Sequence, residues 1–181
     1  GSTMTFELAA ENAKMLREMS TEEGTTLFMV ILAIFNVMLY KLSGQEDIVV
    51  GTAVAGRNHP DLERVIGVFL NTLALRNFPR GQLSIKQFLT EVKERTLAAF
   101  DNQDYQFEEL VQKVVKTREK GHHPLFDVMF GFTPDTPLPI AHKTLTEENP
   151  DELRFRPYKQ KGTQARFDIT FTGADNGETF V

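Results

Sequence analysis

The sequence predicts an α/β fold in which helices pack against a layered sheet. Segments with one apolar face alternate along the chain with short β-branched segments, and this alternation is typical of α/β domains. The clearest strand is 47–55, DIVVGTAVA, whose nearly continuous apolar run is typical of a strand covered on both sides. The 181 residues suffice for one domain, and the 41% apolar and 25% charged fractions are ordinary for a globular protein.

Two helices are predicted before that strand. A weak apolar stripe predicts the first helix over 8–19. The second is predicted to begin at Ser20, which has Glu23 three positions later as in a capping box, and to end at Gly44. Its apolar stretch, 27–40, is shorter than the roughly 20 residues of a membrane span. Because apolar residues lie on all faces of this helix, we expect it to be enclosed in the core.

The remaining elements are identified by caps, turns and apolar periodicity. Ser84 and Gln87 form a capping-box pattern that predicts the start of a long helix. The sequence Asp-Asn-Gly at 175–177 predicts a tight hairpin turn. Segment 133–151 contains four prolines, and a loop of that length is usually functional or mobile. In chain order we expect a loop at 56–60, a helical turn at 62–66, a strand at 70–78, a helix at 84–100, a break at 102–104, a helix at 107–116, and strands at 125–132, 153–158 and 165–172.

The two ends of the sequence carry their own expectations. Residues 1–3, which precede Met4, are typical of the remnant of an expression tag, so the domain is taken as 4–181. The chain stops four residues after the hairpin turn. We therefore expect the second strand of that hairpin to be cut short and the C-terminal end of the domain to be missing.

Composition excludes several classes of function. The net charge of −5 and the pI near 5.4 argue against a nucleic-acid-binding protein, which usually has a basic patch. The absence of cysteine rules out disulfides and thiolate metal sites, and it favours the cytoplasm. No metal site and no membrane segment are predicted.

Four segments resemble motifs of nonribosomal peptide synthetase condensation domains, in the order and spacing of that family. Two positions depart from the family's motifs, because Gln106 stands where proline is usual and His123 stands in place of asparagine. The Asn-Thr-Leu sequence at 71–73 is similar to that of ordinary amide-forming members. The four segments are SGQEDIVVGTAVAGRNHPDLERVIGVFLNTLALR (43–76), DNQDYQFEELV (101–111), HPLFDVMF (123–130) and ARFDIT (165–170).

The resemblance implies one lobe of a larger enzyme. Condensation domains have two lobes, each like chloramphenicol acetyltransferase, and the tunnel between them receives two phosphopantetheine arms that carry the donor acyl group and the acceptor amine. The catalytic HHxxxDG motif lies on the N-terminal lobe, which is expected before Met4. This chain is then the C-terminal lobe, with no catalytic residue and no cofactor of its own. Its segment 133–163 matches the region that braces the N-terminal lobe.

The resemblance also implies a set of partners. These are the N-terminal lobe, the donor and acceptor peptidyl carrier proteins with their phosphopantetheine arms, and the adjacent adenylation domain.

One histidine pair imitates the catalytic motif. His122 and His123, followed by Asp127, spell HHxxxD, and such a pair could supply a general base. Val128 stands where the motif requires glycine, and the flanking residues match the C-terminal-lobe segment. We therefore expect the likeness to be a coincidence.

Eight residues are candidates for a role, and six of them have both a functional and a structural interpretation. Arg57 is either a tunnel-floor or ion-pair residue or a solvated loop arginine. Asn71 and Thr72 either face the tunnel or make structural hydrogen bonds. The polar side chains at 102–104 either cap a helix or lie at the lobe interface. The predicted tunnel and interface residues are Arg57, Asn71, Thr72, Asn102, Gln103 and Asp104, and the predicted structural residues are Asp127 and Asp168.

Three functions compete at this point. The first is a lobe that shapes the tunnel of an amide-forming synthetase and is inactive alone. The second is a carrier-docking module without a share in catalysis. The third is a complete small acyltransferase, whose catalytic histidine would have to be one of His59, His122, His123 and His142.

Overall fold

The computed structural model describes residues 1–57, 59–62, 64–115, 123–133, 165–175 and 177–180. Within these residues a sheet with strand order β2-β1-β3-β4 carries the helices. Its strands are β1 (Ile48–Val54), β2 (Asn71–Asn77), β3 (Val128–Thr133) and β4 (Ile169–Ala174). The predicted α/β class, a sheet with packed helices, is confirmed.

The sheet is mixed. β1 and β2 are antiparallel, with pairs running from Ile48 opposite Asn77 to Val54 opposite Asn71. β3 lies parallel to β1 on one side and to β4 on the other. Because Asn71 at the start of β2 pairs with Val54 at the end of β1, the loop between the two strands leaves and re-enters the sheet at the same end.

The first two helices are α1 (Ala10–Glu22) and α2 (Leu27–Ser43). The predicted start of α2 at Ser20 is wrong. Ser20 lies inside α1, where its hydroxyl donates to the carbonyl of Arg17 at 2.7 Å, a bond that serine often makes within helices. α2 is capped instead by Thr26, whose hydroxyl oxygen accepts from the amide of Met29 at 3.3 Å. Its predicted end is confirmed, since Gly44 caps it with a φ of +71°.

α2 is not enclosed on all faces, contrary to expectation. Ile34, Met38 and Leu42 are 43%, 41% and 71% exposed. Their spacing of four residues places them along one side of the helix. Its other side is buried, and there Phe35 packs against Phe130 of β3, with ring centroids 5.6 Å apart. The sheet therefore covers one side of α2 and leaves apolar side chains exposed on the other side.

The third helix, α3 (Ile85–Asp101), has the predicted capping box. The hydroxyl oxygen of Ser84 accepts from the amide of Gln87, and the side-chain oxygen of Gln87 accepts from the amide of Ser84 at 2.9 Å. α3 packs on β2 and α2. The last helix, α4 (Phe107–Val114), lies near its predicted position and packs against β2.

Three predicted boundaries shift. Pro60–Leu62 forms a single 3-10 turn in place of the helical turn expected at 62–66. β3 and β4 begin three or four residues later than expected, because parallel pairing starts only where Val128 meets Ile169. The strand predicted at 153–158 lies outside the described residues.

The two ends of the chain meet beside α1. The amide of Leu8 donates to the carbonyl of Phe180 at 2.8 Å. Arg17 of α1 donates to both carboxylate oxygens of Asp175, at 3.3 and 2.5 Å, and its guanidinium lies over the Phe180 ring. At the predicted hairpin turn, Asp175 pairs with Phe180 and Gly177 has a φ of +90°, whereas Asn176 lies outside the described residues.

Among the described helices, none is by itself long and apolar enough to cross a membrane. α1 and α2 meet the length and composition of a span only as a pair that is bent by 110°.

Candidate functional site

A cleft of about 370 Å³ lies at the beginning of β2. It forms where three parts of the chain meet: the end of the β1 segment, the residues that lead into β2, and the turn between α3 and α4. Its lining residues are Gly56, Val68, Phe69, Leu70, Asn71, Gln103, Asp104 and Gln106.

Arg57 orders the loop that borders this cleft. Its guanidinium donates to the carbonyls of Leu62, Val65 (2.9 Å) and Gly67 (3.0 Å). The same guanidinium lies over the ring of Phe69, with 4.6 Å between its carbon and the ring centroid. The Arg57 side chain is thus bound to the backbone of its own loop, and its predicted place at the tunnel floor stays a prediction. Charge-assisted bonds to three carbonyls fix the loop that enters β2.

Gly56 allows the loop to approach closely. Its φ of +60° suits glycine, and a Cβ built on it would lie 1.9 Å from the carbonyl oxygen of Phe69. One wall of the cleft therefore depends on a position without a side chain.

Asn71 joins β2 to the turn between α3 and α4. Its side-chain nitrogen donates to the carbonyls of Gln103 at 2.8 Å and Tyr105 at 2.9 Å. Its side-chain oxygen accepts from the amides of Thr72 at 2.9 Å and Phe107 at 3.3 Å. Both halves of the amide are thus bonded to backbone, and the residue is 9% exposed. This geometry favours the structural interpretation of Asn71, which positions the cleft wall.

The turn 102–104 divides into two roles. Asn102 follows α3 as its C-terminal cap, and its side chain donates to the carbonyl of Ala98 at 2.9 Å. Gln103 and Asp104 line the cleft. Thr72 is paired with Ala53 in the sheet, and neither Thr72 nor Asn102 is among the lining residues. The structure therefore brings Asn71, Gln103 and Asp104 together at the cleft.

The sequence did not indicate an exposed apolar rim beside the cleft. Val65, Ile66, Val68 and Leu70 are 44%, 102%, 89% and 68% exposed. Neighbouring apolar side chains that remain open to water typically mark an interaction surface. The signal available in the sequence was the apolar run VIGVFL at 65–70, which lies between the predicted helical turn at 62–66 and the strand predicted from residue 70.

His123 is packed among aromatic rings. Its ring centroid lies 4.4 Å from that of Phe126, 5.2 Å from Phe167 and 5.6 Å from Phe107. Burial lowers the pKa of His123 below its ordinary value, and the Asp127 carboxylate offsets only part of this effect. A ring packed in this way agrees with a structural role for His123, and His122 lies outside the described residues.

The two aspartates singled out from the sequence meet at the start of the parallel strands. The Asp127 carboxylate accepts from the amide of His123 at 3.1 Å. The amide of Asp168 donates to the carbonyl of Asp127 at 2.8 Å, so Asp168 is tied to Asp127 through its backbone. Across the described ranges, no group of three or more histidine, aspartate and glutamate side chains is arranged to hold a metal ion.

Comparison with known proteins supports one family. The chain is 42% identical to bacitracin synthase 3 of Bacillus licheniformis over 98% of its length, and 44% identical to gramicidin S synthase 2 of Brevibacillus brevis over 94%. It covers only 3% and 4% of those proteins.

Solved structures share the fold. A four-domain nonribosomal peptide synthetase bound to AMP and glycine superimposes with a TM-score of 0.84 at 23% identity, over 99% of this chain and 14% of that one. The condensation domain of the monacolin K polyketide synthase superimposes with a TM-score of 0.65 at 25% identity, over 73% of this chain and 31% of that one. The family model for the condensation domain matches residues 1–181. The chain therefore belongs to the condensation domain family of nonribosomal peptide synthetases.

Proposed function

We propose that this chain is the C-terminal lobe of an amide-forming condensation domain and that the cleft at the start of β2 is its share of the substrate tunnel. The observation that carries the proposal is the cleft itself, built by the segments that resemble the family's motifs and bordered by an exposed apolar rim. The size of the chain agrees with one lobe, since 73% of it superimposes on 31% of a solved condensation domain.

The lining of the cleft suits a flexible, amide-bearing arm. Val68 and Leu70 offer apolar surface, whereas Gln103, Asp104 and Gln106 offer polar groups. A phosphopantetheine arm has the same mixture of methylene and amide groups. In this proposal the residues of the lobe orient the arm and exclude water, and no residue here exchanges a proton with the substrate.

We assign the chemistry of amide formation to the HHxxxDG motif of the N-terminal lobe. The sequence contains no HHxxxDG, and His123, the nearest imitation, is stacked on Phe126 and lies beside the tilted ring of Phe167. We therefore propose that the isolated chain is inactive, and that the Asn-Thr-Leu sequence at 71–73 marks the amide-forming subtype.

The partners follow from the same proposal. The part of the apolar rim outside the cleft, Val65 and Ile66, is assigned to the N-terminal lobe, and the mouth of the cleft to donor and acceptor carrier proteins that bring the phosphopantetheine arms. An adenylation domain is the expected neighbour, and the absence of cysteine favours the cytoplasm.

The proposal is tested by association of the chain with a separately produced N-terminal lobe, measured by isothermal titration calorimetry. We expect Ile66→Asp, which places a charge on the apolar rim, to weaken binding by about tenfold or more. Ile85→Asp is the matched control, because Ile85 is an exposed apolar residue at the start of α3. Equal binding by the two variants would contradict the assignment of the rim.

A further inference from the structure

Three arginines surround one aromatic ring at the far end of β2. The guanidinium carbons of Arg76, Arg80 and Arg95 lie 5.4, 5.8 and 4.7 Å from the centroid of Phe78. They come from the end of β2, the following loop and α3. Three separate elements therefore place positive charge around a single ring, and we call this set the arginine cluster.

The arginine cluster is only partly neutralised. Arg76 donates to both carboxylate oxygens of Asp47, at 2.8 and 2.6 Å. Among the residues that the structure describes, Arg80 and Arg95 form no ion pair, and both are exposed. Like charges placed together repel one another unless an anion lies between them. In a chain of net charge −5, this local excess of positive charge is a distinct feature of the surface.

The arginine cluster is separate from the cleft. Asn71 begins β2 beside the cleft, and Asn77, next to Phe78, ends the strand. At the rise of a β-strand, these ends are about 20 Å apart. A ligand of the arginine cluster would therefore not occupy the cleft.

We propose that the arginine cluster is a docking surface for an acidic segment of a protein partner. Guanidinium groups bind carboxylates through paired hydrogen bonds, and a ring between them adds apolar contact. The three guanidinium groups come from three separate elements around one ring, and in the part of the chain that the structure describes Arg80 and Arg95 form no ion pair, so the arginine cluster can receive successive carboxylates of one acidic segment. Exposed complementary charge of this kind mainly steers association and selects the partner. The proposal does not depend on the function assigned to the cleft.

The test measures binding of a fluorescent, end-capped hexaglutamate peptide to the whole chain by anisotropy at low ionic strength. We expect the variant Arg80→Gln with Arg95→Gln to bind about five- to tenfold more weakly than the wild type. The matched control is Arg64→Gln with Arg166→Gln, which removes two exposed arginines elsewhere and changes the net charge equally. We expect the control to bind within about twofold of the wild type. An end-capped hexaglutamine peptide should not bind.

Several results would overturn the proposal. The first is no binding of hexaglutamate by the wild type, and the second is equal weakening in both double variants. A third result concerns inorganic pyrophosphate. If it displaces the peptide at concentrations below the peptide's own half-saturating concentration, the site is assigned to a phosphate ligand instead. If the glutamine variant does not fold, the variant Arg80→Lys with Arg95→Lys replaces it, since it keeps the charge but loses paired bonding. Binding by that variant as tight as the wild type would contradict the role of the guanidinium groups.

Discussion

The side chain of Asn71 donates a 2.8 Å hydrogen bond to the carbonyl of Gln103, 32 positions away in the chain. This bond ties the first residue of β2 to the turn that forms the opposite wall of the cleft. Together with the bond to Tyr105, it makes Asn71 a positioning residue whose removal should be felt first in stability.

Asn71→Ala should lower the free energy of unfolding by about 2–3 kcal/mol, because four part-buried backbone groups lose their hydrogen-bond partner at once. Urea denaturation measures the loss. Asn102→Ala is the control, since its side chain is exposed and bonds only to Ala98, and we expect a loss of about 0.5 kcal/mol. A loss of activity in the complete domain without any loss of stability would instead support a side chain that faces the tunnel.

Gly56→Ala should destabilise the chain by at least about 2 kcal/mol. The new Cβ would meet the carbonyl oxygen of Phe69 at 1.9 Å, in addition to the strain of a φ of +60°. Gly44→Ala separates the two effects, because Gly44 has a φ of +71° but nothing within 4 Å of its Cβ position. We expect it to cost about 1 kcal/mol by thermal or urea denaturation. Equal costs at the two positions would show that Phe69 does not approach Gly56 as described.

Gly51→Ala should disrupt the core beneath β1. A Cβ on Gly51 would lie 2.2 Å from the ring of Phe126 and 2.6 Å from the sulfur of Met129. Displacing a buried ring typically costs about 1–3 kcal/mol, which would appear as a lower melting temperature. Gly131→Ala, in the adjacent strand β3, is the control, since the nearest atom to its Cβ position is 4.0 Å away. A melting temperature unchanged by Gly51→Ala would contradict the packing of Phe126 on β1.

The contact between Arg17 and Asp175 should make stability depend on pH. The hydrogen bond from Arg17 lowers the pKa of the Asp175 carboxyl below its ordinary value of 3.8. A carboxylate with a lowered pKa in the folded state stabilises the protein above its unfolded pKa, and this contribution is lost as the pH falls below about 3.8.

Asp175→Asn tests this dependence. At pH 7 we expect the variant to be less stable than the wild type by about 1–2 kcal/mol, because the pair is largely buried on the aspartate side. The difference should shrink as the pH falls below 3.8. Urea denaturation at several pH values measures it, and a difference that stays constant down to pH 3 would exclude this linkage.

Local signals predicted the fold better than they predicted the site. The capping box of Ser84 and Gln87 was correct because both partners lie within one helical turn. The same spacing at Ser20 and Glu23 misled, because a serine inside a helix can satisfy its hydroxyl on the preceding turn. The capping-box spacing therefore identifies the start of a helix only where the preceding residues are not themselves helical.

The candidate site depends on contacts that no local pattern contains. Arg57 bonds to carbonyls up to ten positions away, and Asn71 bonds to a turn more than thirty positions away. The residue types at both positions were recognised from the sequence, but their partners are backbone groups, which every residue carries. The sequence could therefore indicate where the site lies without indicating which side chains reach into it.

The most direct test of the central claim is formation of a dipeptide from loaded donor and acceptor carrier proteins, measured by mass spectrometry. The chain alone should give no product above the uncatalysed background, and adding a separately produced N-terminal lobe that contains HHxxxDG should restore condensation. A lobe whose second motif histidine is replaced by alanine is the control and should fail to restore it. Product from the isolated chain, or no product from the two folded and associated lobes, would contradict the account.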